Sequence, residues 1–463
     1  MSLPSNWVET PLGEIVFPDR PRHLPSETPD LPFIGMENVE THSMKLLGTV
    51  TAGSMKSSAV HFMPGDVLYG RLRPYLNKVL KAAIEGLCSA EFIVFSDHGY
   101  VNPSWLAYRL NSSDFVSFAA HLNEGDRPRV DLDQISLFSI NLPPQAEQDR
   151  IVAEIEKQFT RLDDAVVGLK RVQANLKRYR ASVLKAACEG TLFSPKREYE
   201  PQPISEAIAS LDQGWSPQCV RESSENPKDW AIIKTTAVQP LHFLSAENKL
   251  LPVALEPRPQ LQIKGGDLLV TRAGPRSRVG IVCLVRHARP RLMLCDKVYR
   301  LRSKPKRAIP EYLEIVLNAP GIADALDALK SGISDSGVNL TKGRFGELVI
   351  PLPPIHEQEA IVDAVEKRIS VVNHIEAAVR LRLDAARVLR QAILRDAFQG
   401  KLVPQNPDDE PASLLLKRIR AERASDATQK NGTHRSTKKP LSAHNQRRRR
   451  VAKLAQRVNA GKG

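Results

Sequence analysis

Between Gln145 and about Ala187 the chain has no proline and one glycine, Gly168, and its apolar residues recur at 155, 159, 162, 166 and 169, then at 172, 176, 179 and 183. Steps of three and four put these positions on one face of a single helix, with one short step near 169 to 172 interrupting a heptad-like stripe. At 1.5 Å per residue such a helix is about 65 Å long, too long for an ordinary core helix. From about His356 to Ala397 the same stripe returns at Val365, Ile369, Val372, Val379, Leu383, Ala386 and Ile393. Each helix leaves an apolar seam that needs a cover, and the simplest cover is the other copy, packed as a coiled coil.

The two helices are copies in register. Leu142-Pro143-Pro144-Gln145-Ala146-Glu147-Gln148 opens the first stretch and Gly190-Thr191-Leu192 closes it; Leu352-Pro353-Pro354-Ile355-His356-Glu357-Gln358 and Gly400-Lys401-Leu402 do so for the second, at a constant offset of 210 residues. A gapless register over some fifty residues marks a chain built as two homologous halves.

The flanking segments read as mixed α/β. Runs rich in β-formers at 33–36, 66–69 and 92–95 lie between Gly, Pro, Asn and Asp, a helix is predicted after Pro103, and Ile135 to Leu142 reads as a strand leading into the first long helix. Gly65-Asp66-Val67-Leu68 with Arg71 and Pro74 matches Gly266-Asp267-Leu268-Leu269 with Arg272 and Pro275 at an offset of 201, and Pro103 to Asn111 matches Pro310 to Asn318 at 207. Drifting offsets mean insertions, so the globular halves share a frame and have diverged.

Composition changes this picture little. The net charge is +14, yet eleven Lys or Arg against one acid, Asp426, fall after Ala424, so the body is only mildly basic and a nucleic-acid footprint there must come from local clusters. No apolar run is long enough to span a membrane, the first residues lack a signal-peptide pattern, and five scattered cysteines without a C-x-x-C pair suit a reducing cytoplasm. Phosphate-cradling and nucleophile-elbow motifs are absent, and His356-Glu357 has Ala360 where a zincin helix needs its second histidine. No catalytic, cofactor-binding or metal-binding residue is therefore assigned.

The candidate chemistry is cationic. Arg71, Arg73, Tyr75, Asn77 and Lys78 follow a predicted strand and turn, and Arg272, Arg276 and Arg278 occupy the matching place in the second half. Guanidinium groups so placed can fork onto guanine edges or clamp phosphates. For one cluster alone a solvated surface loop is the commoner explanation; recurrence in both halves raises the DNA-binding reading. Arg127 with Arg129, and Lys342 with Arg344, each shortly before a long helix, are weaker candidates of the same kind.

The doubled Leu-Pro-Pro-x-x-Glu-Gln-x-x-Ile-Val helix start, the Gly-x-Leu end, and the segment Gly65 to Leu76 resemble the specificity subunits of type I restriction-modification systems, over about residues 1 to 423. Trp7 and Trp230 resemble the starts of that family's target-recognition domains. The resemblance implies an α+β fold in which two mixed α/β target-recognition domains are separated by two long helices packed as an antiparallel coiled coil, with an internal pseudo-twofold repeat. It places the first recognition domain at 1–142, the first helix at 143–193, a connector at 194–229, the second recognition domain at 230–352, and the second helix at 353–403. A connector with a short helix follows at 404–424, then a basic, disordered tail at 425–463 that lies outside the family pattern.

By the same resemblance the chain is a non-catalytic, cytoplasmic reader of a bipartite, asymmetric double-stranded DNA sequence. Two methyltransferase subunits and motor-nuclease subunits would join it, and S-adenosylmethionine, ATP and magnesium would be used by those partners. The competing reading is a coiled-coil scaffold that binds nucleic acid only through its basic tail.

Overall fold

The computed structural model describes residues 3–332 and 334–436, with side chains described to 424. The chain divides into two compact units: residues up to Ala165 together with those from Asp384 on, and Val166–Leu383. Both long helices form, as Gln145–Cys188 and Ile355–Phe398, each 44 residues long. Each crosses from one unit into the other, which a linear reading of the boundaries did not foresee.

In the first unit, strand Val67–Gly70 pairs antiparallel with Val79–Lys81 and Phe92–Phe95. A five-stranded sheet lies alongside in the order Arg22–His23, Ala59–Phe62, Gly86–Ser89, Pro32–Ile34, Val50–Thr51, with Pro32–Ile34 parallel to Gly86–Ser89. Helix Pro103–Asn111 starts as expected, because Asn102 accepts hydrogen bonds from the amides of Ser104 and Trp105 and Pro103 needs no amide partner there. Trp105, Leu110, Phe115 and Ile135 pack with Ile151, Ile155 and Phe159 of the first long helix, with Leu394, Ala397 and Phe398 of the second, and with Leu415 and Ile419 of the C-terminal helix.

In the second unit, strands Ile208–Gln213, Val298–Ser303, Leu268–Thr271 and Val282–Leu284 form a four-stranded sheet. Tyr312, Leu313 and Val316 of helix Pro310–Leu317 pack with Val183, Leu184 and Ala187 of the first long helix and Ile361, Val362 and Val365 of the second. Asn248–Leu250, Ala231–Ile233 and Leu292–Met293 form a smaller sheet with its own core.

The long helices pack together antiparallel, and the contacts follow the repeat. In the second unit Arg180 donates to Asn373 Oδ1 at 2.7 Å and to Glu376 at 2.7 Å. In the first, Arg390 donates to Asp163 Oδ1 at 2.8 Å and lies over the Phe159 ring. Residues 180 and 390, and 163 and 373, are both related by the 210 offset, so the same pair of repeat positions makes the contact in each unit.

The expected stripe on the second helix is inside, with Val365, Val372, Val379, Ala386 and Ile393 buried. On the first helix Val172 and Tyr179 are exposed instead, just past the step that broke the heptad pattern.

Other expectations are revised. Residues 132–136 form a short helix, and only Ser139–Leu142 is strand, pairing with Val8–Pro11. Residues 194–229, expected as a connector, contribute Pro201–Pro203, which pairs with Val349–Pro351, and the sheet edge Ile208–Gln213, while Ile204 and Ala207 are fully buried. The globular fold thus takes in residues well before Trp230. This stretch copies the start of the chain: the Leu12 amide donates to Phe138 O and the Ile204 amide to Leu348 O, and 138 and 348 again differ by 210. The expected short C-terminal helix runs Ala412–Ser436, through the first part of the tail read as disordered; the rest of the tail lies outside the described residues.

Candidate nucleic-acid interface

In the first unit strand Val67–Gly70 delivers the chain into the loop Arg71–Lys78, which main-chain bonds join to two other segments. The Arg71 amide donates to Glu91 O at 2.9 Å, the Val130 amide to Arg71 O at 3.0 Å, and the Arg73 amide to Pro128 O at 2.7 Å. Two basic motifs that are far apart in sequence, Arg71–Lys78 and Arg127–Arg129, therefore lie side by side. The second unit repeats the frame: the Arg272 amide donates to Lys297 O and the Leu340 amide to Arg272 O, and Ala273–Gly274 pairs with Val338–Asn339. This brings the Arg272–Arg278 loop beside the segment that leads to Lys342 and Arg344.

Side chains in the two loops divide between inward and outward roles. Arg71 Nε donates to Val130 O at 3.2 Å, and its guanidinium pairs with Asp131. Burial, then the neighbouring Arg129, lowers its pKa. Asn77 is 1 % exposed and donates to Asn111 O at 3.3 Å, which removes it from the set able to touch a base edge. Its φ of 44° is left-handed, and asparagine tolerates that region better than other residues with a Cβ. Lys78 caps Met36 O.

In the second unit Arg272 Nε donates to Asp296 O at 2.8 Å. Arg278 is held by Thr235 O and Val238 O, both at 2.9 Å, and by Gln239. Arg276 is paired with Asp327 at 2.5 Å and Asp335 at 3.2 Å. Arg272 and Arg278, bonded to main-chain carbonyls, hold the loop in shape, whereas the Arg276 side chain is ion-paired at the surface.

Tyr75, Arg127, Arg129, Lys342 and Arg344 are exposed, and Arg73 is partly so. Arg129 lies 3.4 Å from Glu91, and Arg344 donates weakly to Leu329 O at 3.4 Å. Arg22, exposed on a sheet-edge strand, lies close enough to act electrostatically on Arg71 and was not among the sequence candidates. Nothing local to Arg22 signals this, because the sheet brings it there. Among the described residues no group of three or more His, Cys, Asp or Glu side chains is placed to hold a metal ion. No described helix is long and apolar enough to cross a membrane.

The Glu-Gln pair that opens each long helix fastens the globular parts to it. Gln148 Nε2 donates to Pro143 O and its Oε1 accepts from the Asn102 amide; Gln358 does the same with Pro353 O and the Ile309 amide. Asn102 and Ile309 are the N-cap residues of the equivalent helices Pro103–Asn111 and Pro310–Leu317. Glu147, 1 % exposed, accepts from Trp7 Nε1 at 2.9 Å and Gln405 Nε2 at 2.7 Å. Burial raises its pKa. In the second unit Glu357 faces Arg197 at 3.9 Å.

No family model matches the chain. It is 24 % identical to the specificity subunit of type I restriction enzyme EcoEI from Escherichia coli, over 85 % of this chain and 83 % of that one. It is 28 % identical to the EcoKI specificity subunit of E. coli strain K12, over 70 % and 75 %. A chain in a solved structure concerned with complex assembly and conformational transition of the type I R-M system superposes with a TM-score of 0.66 at 20 % identity, covering 87 % of this chain and all of that one. That superposition shows a shared fold.

Proposed function

We propose that this chain, which belongs to the type I restriction enzyme specificity subunits, recognises double-stranded DNA by two short, different half-sites, one for each unit, and assembles with the subunits that act on it. The observation that carries this reading is the pair of equivalent loops. One main-chain frame recurs at Arg71/Val130 and Arg272/Leu340, and it carries different outward side chains in the two units: Arg73, Tyr75, Arg127 and Arg129 in one, Lys342 and Arg344 in the other. A shared frame with divergent contacts suits an asymmetric target, whereas two identical readers would select a palindrome. Outward cations supply phosphate contacts and on-rate, and the fewer groups that reach base edges supply the sequence preference.

The chain itself carries no reaction in this reading. Two methyltransferase subunits and motor-nuclease subunits join it and bring S-adenosylmethionine, ATP and magnesium. Exposed apolar side chains on the second long helix, among them Val371, Leu381, Val388 and Leu389, give such partners a surface to cover.

The test exchanges residues 195–352, the second unit's globular part, for those of another specificity subunit and maps modified bases in the host genome. One half of the modified sequence should change while the other half stays. An unchanged sequence would overturn the two-reader model. The scaffold alternative expects DNA binding to vanish when residues 425–463 are removed, whereas the reader retains its target and loses only salt-sensitive, nonspecific affinity.

A further inference from the structure

The first long helix changes its charge where it enters the second unit, which begins at Val166. From Gln145 to Asp164 it carries six acids and three Lys or Arg, whereas between Asp164 and Glu189 the chain has six Lys or Arg and no acid. A helix favours cations at its C-terminal end, where they offset the unpaired carbonyls, but that effect fades within the last turn. It accounts for Lys185, close to the end at Cys188 and 3.6 Å from Glu189. Arg180 is taken up by Asn373 and Glu376. Lys170, Arg171, Lys177 and Arg178 lie ten residues or more before Cys188 and have neither explanation.

These four form one stripe. Lys170 and Lys177 are seven residues apart, as are Arg171 and Arg178, so two turns bring each pair back to the same side of the helix. All four are exposed, and none has a carboxylate or hydrogen-bond partner among the described residues. On the second long helix, within the same unit, Arg380 and Arg382 are exposed and likewise without a partner among the described residues. Elsewhere on the two helices, exposed cations such as Lys157, Lys185, Arg387 and Arg395 each face a carboxylate.

Like charges left without partners repel one another in the folded chain, and binding a polyanion relieves that repulsion. A protein interface is built around large apolar side chains, with charged residues at its rim. Between the four cations on their side of the helix stands only Ala174, so nothing there would anchor such a core. DNA phosphates need no apolar anchor, because cations in series displace the counterions condensed on the duplex.

We propose that the stripe Lys170, Arg171, Lys177 and Arg178 is a phosphate-contacting surface for double-stranded DNA, holding duplex outside the half-sites whatever its sequence. It adds affinity and leaves base selection to the recognition loops. This inference rests on the reading of the chain as a DNA-recognition subunit.

The test uses the full-length chain and a variant with Lys170→Gln, Arg171→Gln, Lys177→Gln and Arg178→Gln together. A milder variant carries Lys170→Gln and Lys177→Gln only. A control carries Lys157→Gln, Lys185→Gln, Arg387→Gln and Arg395→Gln, which removes the same charge from the same helices at paired positions. Thermal melts check that each is folded. Binding is measured against salt concentration on a duplex selected by the wild-type chain from a randomised pool and on a mixed-sequence duplex of equal length. The slope of log affinity against log salt should become shallower by about 2–4 in the fourfold variant on both duplexes, and by about half that in the milder one. The control should change it far less, and the selected motif should stay the same in every variant. An unchanged slope in the fourfold variant, or an equal change in the control, overturns the proposal and leaves the recognition function standing. Unchanged DNA binding with lost association to methyltransferase subunits also overturns it, and makes the occupant an acidic protein surface. If the wild-type chain selects no motif, sequence reading fails, while the slope on the mixed-sequence duplex still decides for or against the stripe.

Discussion

Trp7 and Glu147 give the most demanding test of how the duplicated helix start works. The Glu147 carboxylate is 1 % exposed and has two donors, Trp7 Nε1 at 2.9 Å and Gln405 Nε2 at 2.7 Å. Trp7→Phe removes one donor and keeps most of the ring. A hydrogen bond to a buried charge contributes about 1.5–3 kcal/mol, and one to a neutral group about 0.5–1.5 kcal/mol.

Glu147 has a raised pKa because burial penalises its charged form, and the Trp7 hydrogen bond works against that rise. A raised carboxyl pKa means that stability from this group is present at low pH and falls as pH rises through the folded-state value. Losing Trp7 raises the pKa further, so the variant's deficit must grow with pH. Denaturant unfolding followed by a signal from the first unit should show a loss of about 1.5–3 kcal/mol at pH 8 and a smaller one at pH 4.5, where the raised pKa leaves more of Glu147 protonated. The packing change from indole to phenyl is the same at both pH values and cancels in the difference. An equal loss at both pH values, or a larger one in acid, would refute the account of Glu147 as a buried, charged latch.

Two further changes separate structural from recognition roles. Asn77→Ala puts an ordinary Cβ residue at φ 44° and removes the bond to Asn111 O; it should cost about 1.5–3 kcal/mol in a thermal melt and leave the selected DNA motif unaltered. Gly190→Ala and Gly400→Ala both strain left-handed helix ends, at φ 69° and 71°, but the new Cβ meets the Arg197 main-chain carbonyl in the first case and the Pro4 ring in the second. Melting should therefore fall further for Gly190→Ala, since a proline ring moves aside more readily than a backbone held by the Arg197 amide bond to Gly190 O.

Much of this architecture is legible in the sequence because the repeat carries it. Steps of three and four residues from 155 to 183 leave no other regular structure available, and the copied glycines at 190 and 400 mark left-handed helix ends. Short elements were harder. The helix Leu132–Ser136 lies in a segment whose apolar residues suit a strand, yet Asp131 and Gln134 form a capping box that could have revealed it. Strand Ile208–Gln213 has neither clean alternation nor a local partner, for it pairs with Val298–Ser303, and only that distant pairing defines it.

The basic clusters were recognised, but their orientation was not. Asp131, Asp327 and Asp335, which pair with Arg71 and Arg276, lie 60, 51 and 59 residues away from those arginines. A charge count over a loop cannot include partners that only the fold supplies.

The two copies of the helix start explain why reading and assembly can diverge at different rates within one chain. Gln148 and Gln358 make the same two kinds of bond, one to their own Pro-Pro turn and one to the N-cap amide of the globular helix beside it. Those bonds use a side-chain amide and main-chain atoms, so they place no demand on the identity of the residues they hold: Asn102 in one unit is Ile309 in the other. The loop frames obey the same rule, because Arg71 and Arg272 are fixed through main-chain amides and carbonyls while the residues around them differ. A latch built on backbone atoms holds any loop sequence that keeps the turn. In the DNA reader proposed above, new half-sites would therefore need changes at outward loop positions such as 127 and 129, with the helix starts at 145–148 and 355–358 untouched.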